Sequence, residues 1–166
     1  ATAEVFAREG YRLILNGRRS DRLILLQEQL EHDYGSEILL LPFDVSDQHA
    51  VASAVQALKD EWSEIDVLVN NAGKAKGLAP IHEGNYDHWN EMIDVNLKGL
   101  LYLTREVTPL MVARGEGHVI NLCSTAGKEV YPKGNVYCAT KHAVDALTQA
   151  MRVDLYEHNI RVSQVS

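Results

Sequence analysis

Tyr137 and Lys141 stand four residues apart in Tyr-Cys-Ala-Thr-Lys. On a helix that spacing puts both on one face, one turn apart. A phenol beside an ammonium can move a proton. A free tyrosine has a pKa of ~10 and is a poor base at neutral pH. A neighbouring positive charge favours the phenolate. Bringing a phenol near neutrality takes roughly three units, or about 4 kcal/mol of differential stabilisation. One half-exposed lysine falls short of that, so a second positive charge has to contribute. Tyr-x-x-x-Lys alone is a weak signal, because both residues are common on helix surfaces.

The surroundings make the signal more specific. Ser124, thirteen residues upstream, ends the apolar run Gly117 to Cys123, which reads as a buried strand. A serine at the carboxyl end of a parallel strand stands where open α/β sheets place their ligands. The loop Thr125 to Asn135 carries Gly127, Pro132 and Gly134, so it is irregular and can fold back over that edge. Ser124, Tyr137 and Lys141 can then meet at one point.

Strand and helix alternate around these residues. Residues 1–9 read as the end of a helix stopped by Gly10. Tyr11 to Asn16 reads as a strand whose contiguous Leu13, Ile14 and Leu15 suit a sheet buried on both faces. A helix follows from about Ser20 to Tyr34, closed by Gly35, and then a strand from Ile38 to Phe43. Ser46 caps a helix reaching about Ser63, with Val51, Val55, Leu58 and Trp62 as its apolar stripe. Asp66 to Asn70 is a strand, and residues 85–113 form a helix interrupted near Asn96. Asn is unfavourable in a helix interior and can divert a backbone carbonyl. Strand 118–123, helix 136–158 and strand 160–165 follow. The pattern predicts one domain over residues 1–166, an α/β fold with a doubly wound parallel sheet and helices on both faces.

Three strand ends carry further candidates. Gly17-Arg18-Arg19 follows the first strand, with no carboxylate and two planar guanidinium groups suited to phosphate. The same arginines also read as solvated side chains beside Asp21. Asp44-Val45 ends the second strand, where Asp44 equally reads as a helix cap beside Ser46 and Asp47. Asn70-Asn71-Ala72-Gly73 ends the third. Its small residues let the backbone approach a ligand closely, although an Asn-rich turn is the plainer alternative.

Ser124, Tyr137 and Lys141, with Asn70-Asn71-Ala72-Gly73 and Asn96 upstream, resemble the short-chain dehydrogenase/reductase family along nearly the whole chain. The resemblance implies a Rossmann-type sheet and hydride transfer between a nicotinamide and a carbinol carbon. It makes Asn96, Ser124, Tyr137 and Lys141 the catalytic set. Tyr137 would exchange the hydroxyl proton, and Lys141 would favour the phenolate and hold the nicotinamide ribose. Ser124 would bond the substrate oxygen, and Asn96 would hold a water linking Lys141 to solvent. The oxidised nicotinamide would be the second positive charge. The cofactor would lie against Arg18, Arg19, Asp44, Val45, Asn71, Ala72, Gly73, Tyr137 and Lys141. Gly17 offers no acid for a free 2′-hydroxyl, so Arg18 points to NADP rather than NAD. Ser124-Thr125-Ala126-Gly127 with Gly134-Asn135-Val136-Tyr137 resembles the subgroup acting on small 3-hydroxy acids, including serine. A non-catalytic dinucleotide sensor or scaffold on the same fold is the alternative, as is an adapter whose partner supplies the phosphate loop. The intact set of four residues argues against a sensor.

The totals exclude other classes. In 166 residues, 46% are hydrophobic and 23% charged, an ordinary globular balance. The formal charge is −7 with no basic run, which argues against nucleic acid and anionic membranes as partners. Cys123 and Cys138 make neither a disulfide framework nor a metal knuckle, which suits a reducing cytoplasm. The seven histidines lack ligand spacing, so no metal is expected, and His142 reads as structural. The partner is then a small alcohol or carbonyl substrate.

A dinucleotide-binding sheet begins with a strand, a glycine-rich turn and a helix whose N-terminus holds the pyrophosphate. This sequence opens inside that helix. In the family's strand order the first strand lies between the strands at 11–16 and 66–70, and the family continues past Ser166 into a substrate loop and a last strand. The sequence therefore reads as an incomplete sheet from a longer protein. Helices 86–113 and 136–158 carry more apolar residues than one sheet-facing stripe needs. That surplus, with the resemblance, points to a homo-oligomer, a tetramer, built on those two helices.

Overall fold

The computed structural model describes residues 1–166. Glycines and caps divide the chain much as the sequence implies. Helix α1, Thr2–Arg8, is followed by Gly10 at φ +82°, and strand β1 runs Leu13–Asn16. Helix α2, Ser20–Tyr34, closes on Gly35 in the left-handed region, and β2 is Ile38–Leu41. Then come α3 Gln48–Gln56, β3 Val67–Asn70, α4 Tyr86–Ile93 and α5 Leu100–Arg114. Strand β4 is Gly117–Leu122, α6 is Asn135–Leu155, and β5 is Ile160–Val165.

All strand pairs are parallel, with helices between them, and the architecture is Rossmann-like α/β. The strands form two sheets, β1-β2 and β3-β4-β5, and β1 does not pair with β3. Residues 11–18 and 64–74 face each other across the apolar gap between these edges, the place the family's strand order gives to its first strand. The core divides with the sheets. Ten residues, among them Leu68, Val107, Met111, Val119 and Val144, form the larger cluster, while Ala7, Leu13 and Leu30 form a second.

Two expectations change. The cap of α3 is Asp47, whose Oδ1 accepts from the His49 and Ala50 N–H groups at 3.0 Å each. Ser46 instead gives its N–H and hydroxyl to Asp44. The helix also ends at Gln56 rather than Ser63, because Asp60 turns left-handed at φ 51° and breaks the i→i−4 ladder. A short 3₁₀ turn over Asp60–Ser63 takes its place.

The interruption expected near Asn96 is a π-helical segment, Asp94–Gly99, joining α4 to α5. Such segments skip one regular hydrogen bond and turn side chains by a fraction of a turn. Helix α6 stops at Leu155, and a 3₁₀ turn with left-handed Asn159 leads into β5. Much of the apolar surplus on α5 and α6 packs inside the chain. Leu100, Val107, Met111, Val144 and Met151 are buried, and Leu97, Leu103, Leu110, Leu147 and Leu155 pack against them. Leu101, Ala139, Ala146, Ala150 and Val153 remain exposed.

Candidate active site

The carboxyl ends of β3 and β4 meet the first half of α6. Lys141 is 6% exposed, and its Nζ donates to the Leu122 carbonyl at 2.9 Å. Burial pushes the Lys141 pKa down, partly opposed by the neighbouring Cys123 thiol. Its ammonium lies 6.0 Å from the centroid of the Tyr137 ring, as one helical turn requires.

Two glycines let the chain crowd this lysine. A Cβ on Gly73 would come 3.4 Å from Lys141 Nζ and 3.8 Å from Asn96 Oδ1. A Cβ on Gly127 would come 2.8 Å from the Lys141 carbonyl oxygen and 2.6 Å from Cys123 Sγ, closer than packed atoms tolerate. Gly127 belongs to the 3₁₀ turn Thr125–Gly127, which Ser124 caps by accepting the Ala126 N–H at 3.2 Å. The Ser124 turn is thereby seated on the backbone of Lys141.

Asn96, 2% exposed within the π segment, ties three pieces together. Its Oδ1 accepts the Lys74 N–H at 2.7 Å. Its Nδ2 donates to the Lys74 carbonyl at 2.9 Å and to Thr140 Oγ1 at 3.0 Å. Thr140 in turn donates to the Tyr137 carbonyl at 2.8 Å. The amide so holds the loop after Gly73 against the helix bearing Tyr137 and Lys141. Of the four expected catalytic residues, Asn96 and Lys141 meet around Gly73, Ser124 joins through its turn, and Tyr137 through the helix.

Six of the nine expected cofactor residues border the gap between β1 and β3, at its carboxyl end. Arg18, Asp44, Val45, Asn71, Ala72 and Gly73 all belong to its wall, while Arg19, the first residue before α2, does not. Ser124, Tyr137 and Lys141 stand outside that wall, just past its Gly73–Lys74 end. Arg18 pairs with Asp44 at 3.4 Å across the ends of β1 and β2. Partial burial opposes ionisation of Asp44, but the Ser46 donors and Arg18 outweigh it and hold the carboxyl below its usual range. Val45 is buried beside Gly99, where a Cβ would come 2.7 Å from its Cγ2.

Asn70 belongs to the string already singled out, but Thr104, Asn121, Thr148, Asn135 and Thr140 hold the site in ways that were not foreseen. Asn70 Nδ2 donates to Thr104 Oγ1 on α5 at 3.0 Å and to Asn121 Oδ1 on β4 at 2.9 Å. Asn121 Nδ2 donates to Thr148 Oγ1 on α6 at 3.0 Å. Asn121 is fully buried, and a polar residue inside the run from Gly117 to Cys123 was the available signal. Asn135 Nδ2 donates to the Ala79 carbonyl at 2.9 Å, two residues before Tyr137. Neither that contact nor the part played by Thr140 has a signature in the sequence.

The family model described as short chain dehydrogenase matches residues 1–166. An NADP-dependent 3-hydroxy acid dehydrogenase of Escherichia coli strain K12 is 41% identical over 160 residues, covering 96% of this chain and 63% of that protein. A probable NADP-dependent dehydrogenase of Haemophilus influenzae is 46% identical over 156 residues, covering 94% of this chain and 60% of that protein. The chain thus spans less than two thirds of the length of these curated relatives. Among solved structures, serine dehydrogenase from Escherichia coli superposes with a TM-score of 0.90 at 41% identity, covering 98% of this chain and 73% of that one.

The Asn96 clamp carries a local prediction. In Asn96→Ala the Lys74 amide loses its acceptor, and its hydrogen exchange should accelerate about tenfold or more, on the scale of one or two net hydrogen bonds. An unchanged rate by NMR would show that other contacts hold the loop.

Proposed function

The chain belongs to the short-chain dehydrogenase family, and on that premise we propose that it is an NADP-dependent oxidoreductase interconverting an alcohol and a carbonyl on small 3-hydroxy acids. One observation supports the reading above the rest. Lys141 and Asn96 meet around Gly73 past the carboxyl end of β3, the Ser124 turn is seated on the Lys141 backbone, and Arg18 stands past the carboxyl end of β1. In this reading all 166 residues form one dinucleotide-binding domain.

The carboxyl ends of β1, β2 and β3 suit a dinucleotide. Asn71, Ala72 and Gly73 are exposed and small enough for close approach, and Arg18 offers a planar fork to a 2′-phosphate. Asp44 pre-orients that fork. Arg18, Asp44, Val45, Asn71, Ala72 and Gly73 would hold the cofactor, with Arg19 beside Arg18 and with Tyr137 and Lys141 at its reacting end. Bound NADP would supply the hydride donor or acceptor.

The chain's own residues handle the proton. The Tyr137 hydroxyl takes the proton of the substrate hydroxyl during oxidation and returns it during reduction. The buried Lys141 ammonium balances the negative charge gathering on the tyrosine oxygen. Ser124 Oγ accepts from Ala126 N–H, so its own proton is left to donate to the substrate oxygen. Asn96 fixes the loop that borders this exchange and completes the proton path through Lys141. The relatives named as 3-hydroxy acid and serine dehydrogenases support the substrate class.

No helix is long and apolar enough to cross a membrane. A cytoplasmic location follows from the cysteine usage. The exposed line Ala139, Ala146, Ala150 and Val153 on α6, with Leu101 on α5, supports a homotetramer joined through those helices.

Three outcomes are expected. Tyr137→Phe should lower turnover about 10²–10⁴-fold while NADP binding stays intact, since it removes one proton and little surface. A residual rate above about a tenth of wild type removes the tyrosine from this role. Arg18→Ala should weaken NADPH about tenfold or more and NADH little, through loss of a charge-assisted contact. Equal losses would show that Arg18 does not read the 2′-phosphate. Sedimentation of the full-length protein at micromolar concentration should give a tetramer, and a monomer there ends the interface proposal.

A further inference from the structure

Residues 73–80 leave the carboxyl end of β3 and cross in front of the site. Three contacts pin them. Lys74 is bonded through both backbone groups to Asn96, beside Lys141. Gly77, at φ +74°, lies so close to the His88 ring of α4 that a Cβ would come 2.7 Å from Nδ1. Ala79 is bonded to Asn135, two residues before Tyr137. The loop therefore runs from the Lys141 side of the site to the Tyr137 side, and Lys76 sits within that span.

Lys74 and Lys76 are two residues apart, and both reach Glu91 on α4, one to each carboxylate oxygen. Hydrogen bonds from Lys74 first and Lys76 second hold the Glu91 carboxyl at about 2, so it is ionised at any ordinary pH. Two ammonium groups against one carboxylate leave one positive charge in excess, on a chain of formal charge −7. Their side chains are 30% and 37% exposed, so they are partly stripped of water yet still reachable. Each ammonium has three donors and gives one to Glu91. The two sites of the loop most able to serve the fold, Gly77 and the Lys74 backbone, are already engaged. Nothing in the packing of the loop requires a second cation on Glu91.

We propose that Lys76, with Lys74 and Glu91, forms the subsite for the carboxylate of the substrate, so that the enzyme selects hydroxy acids over uncharged alcohols of the same size. The substrate's hydroxyl carbon lies at Tyr137 and Ser124, and its carboxylate reaches across to the ammonium of Lys76. Glu91 holds the two lysine arms apart from Lys141 and keeps the excess charge at one. The proposal rests on the oxidoreductase reading only for what happens at the hydroxyl end.

The test compares 3-hydroxypropanoate with its uncharged amide, on the full-length protein, by steady-state kinetics with NADP and by equilibrium titration. The wild type should prefer the acid. Lys76→Met should raise KM for the acid about 10–100-fold, the range of a charge-assisted hydrogen bond, with kcat retained and the amide within twofold. Lys76→Arg should restore the preference for the acid, and unchanged amide kinetics in Lys76→Met report an intact fold. Equal losses for acid and amide, or no loss for either, overturn the subsite. If the wild type turns over neither compound, the oxidoreductase reading fails and the titration still decides the subsite. Acid binding that Lys76→Met abolishes upholds it, and no preference for the acid overturns it.

Discussion

A lysine ammonium only 6% exposed is the constraint around which this site is built. Removing a charge from water is costly unless donors find partners, and here the direction of the Lys141 shift shows that burial outweighs its neighbours. One donor goes to the Leu122 carbonyl, at the very end of β4. The neighbouring backbone comes close enough at position 127 that only a bare glycine fits. A methyl group at 127 would meet both the Lys141 carbonyl and the Cys123 sulfur. The cation is thus fixed by what its surroundings lack as much as by what they offer.

Parallel strands bond to each other through their backbones but have no backbone bonds to offer the helices above and below. Side-chain amides supply that connection here. Thr104 on α5, Asn70 on β3, Asn121 on β4 and Thr148 on α6 form one buried chain of hydrogen bonds through the layers. Asn96 makes the second such tie, between the loop after β3 and α6. Buried networks of this kind are unforgiving, since each lost partner leaves a desolvated group. Asn70 already keeps one buried carbonyl oxygen without a protein partner. The second tie ends at Thr140, next to Lys141, and the first at Thr148, two turns further along α6, so both brace the helix that carries the site.

How far these features could be read from sequence depended on their range. The order of the elements was legible, because apolar runs and glycine stops act locally. The break near Asn96 was also legible, because an Asn there conflicts with helix propensity, although its π-helical form was not. The cap of α3 was misassigned, since Ser46 and Asp47 are adjacent and both are good caps. In the structure Asp47 caps α3 while Ser46 bonds to Asp44. The apolar excess of α5 and α6 was counted correctly but assigned too freely to a partner, since leucines such as Leu97, Leu103 and Leu147 close the chain's own core. Contacts such as Asn135 with Ala79, 56 residues apart, leave no mark on either segment.

Arg18 and Asp44 belong to the β1-β2 side, past the carboxyl ends of its strands. Ser124, Tyr137 and Lys141, the residues proposed to handle the proton, belong to the β3-β4-β5 side. Val45 packing against Gly99 joins the two near the π segment, and Arg12 reaches from β1's start to the Glu61 carbonyl at 3.3 Å and over the Trp62 ring. A dinucleotide lying across the carboxyl ends of the strands would touch both sides, Arg18 on one and Gly73 on the other. On the proposed reading, cofactor recognition at the Arg18 end and alignment at the Lys141 end would be properties of a single bound molecule, although the residues proposed for each follow different strands.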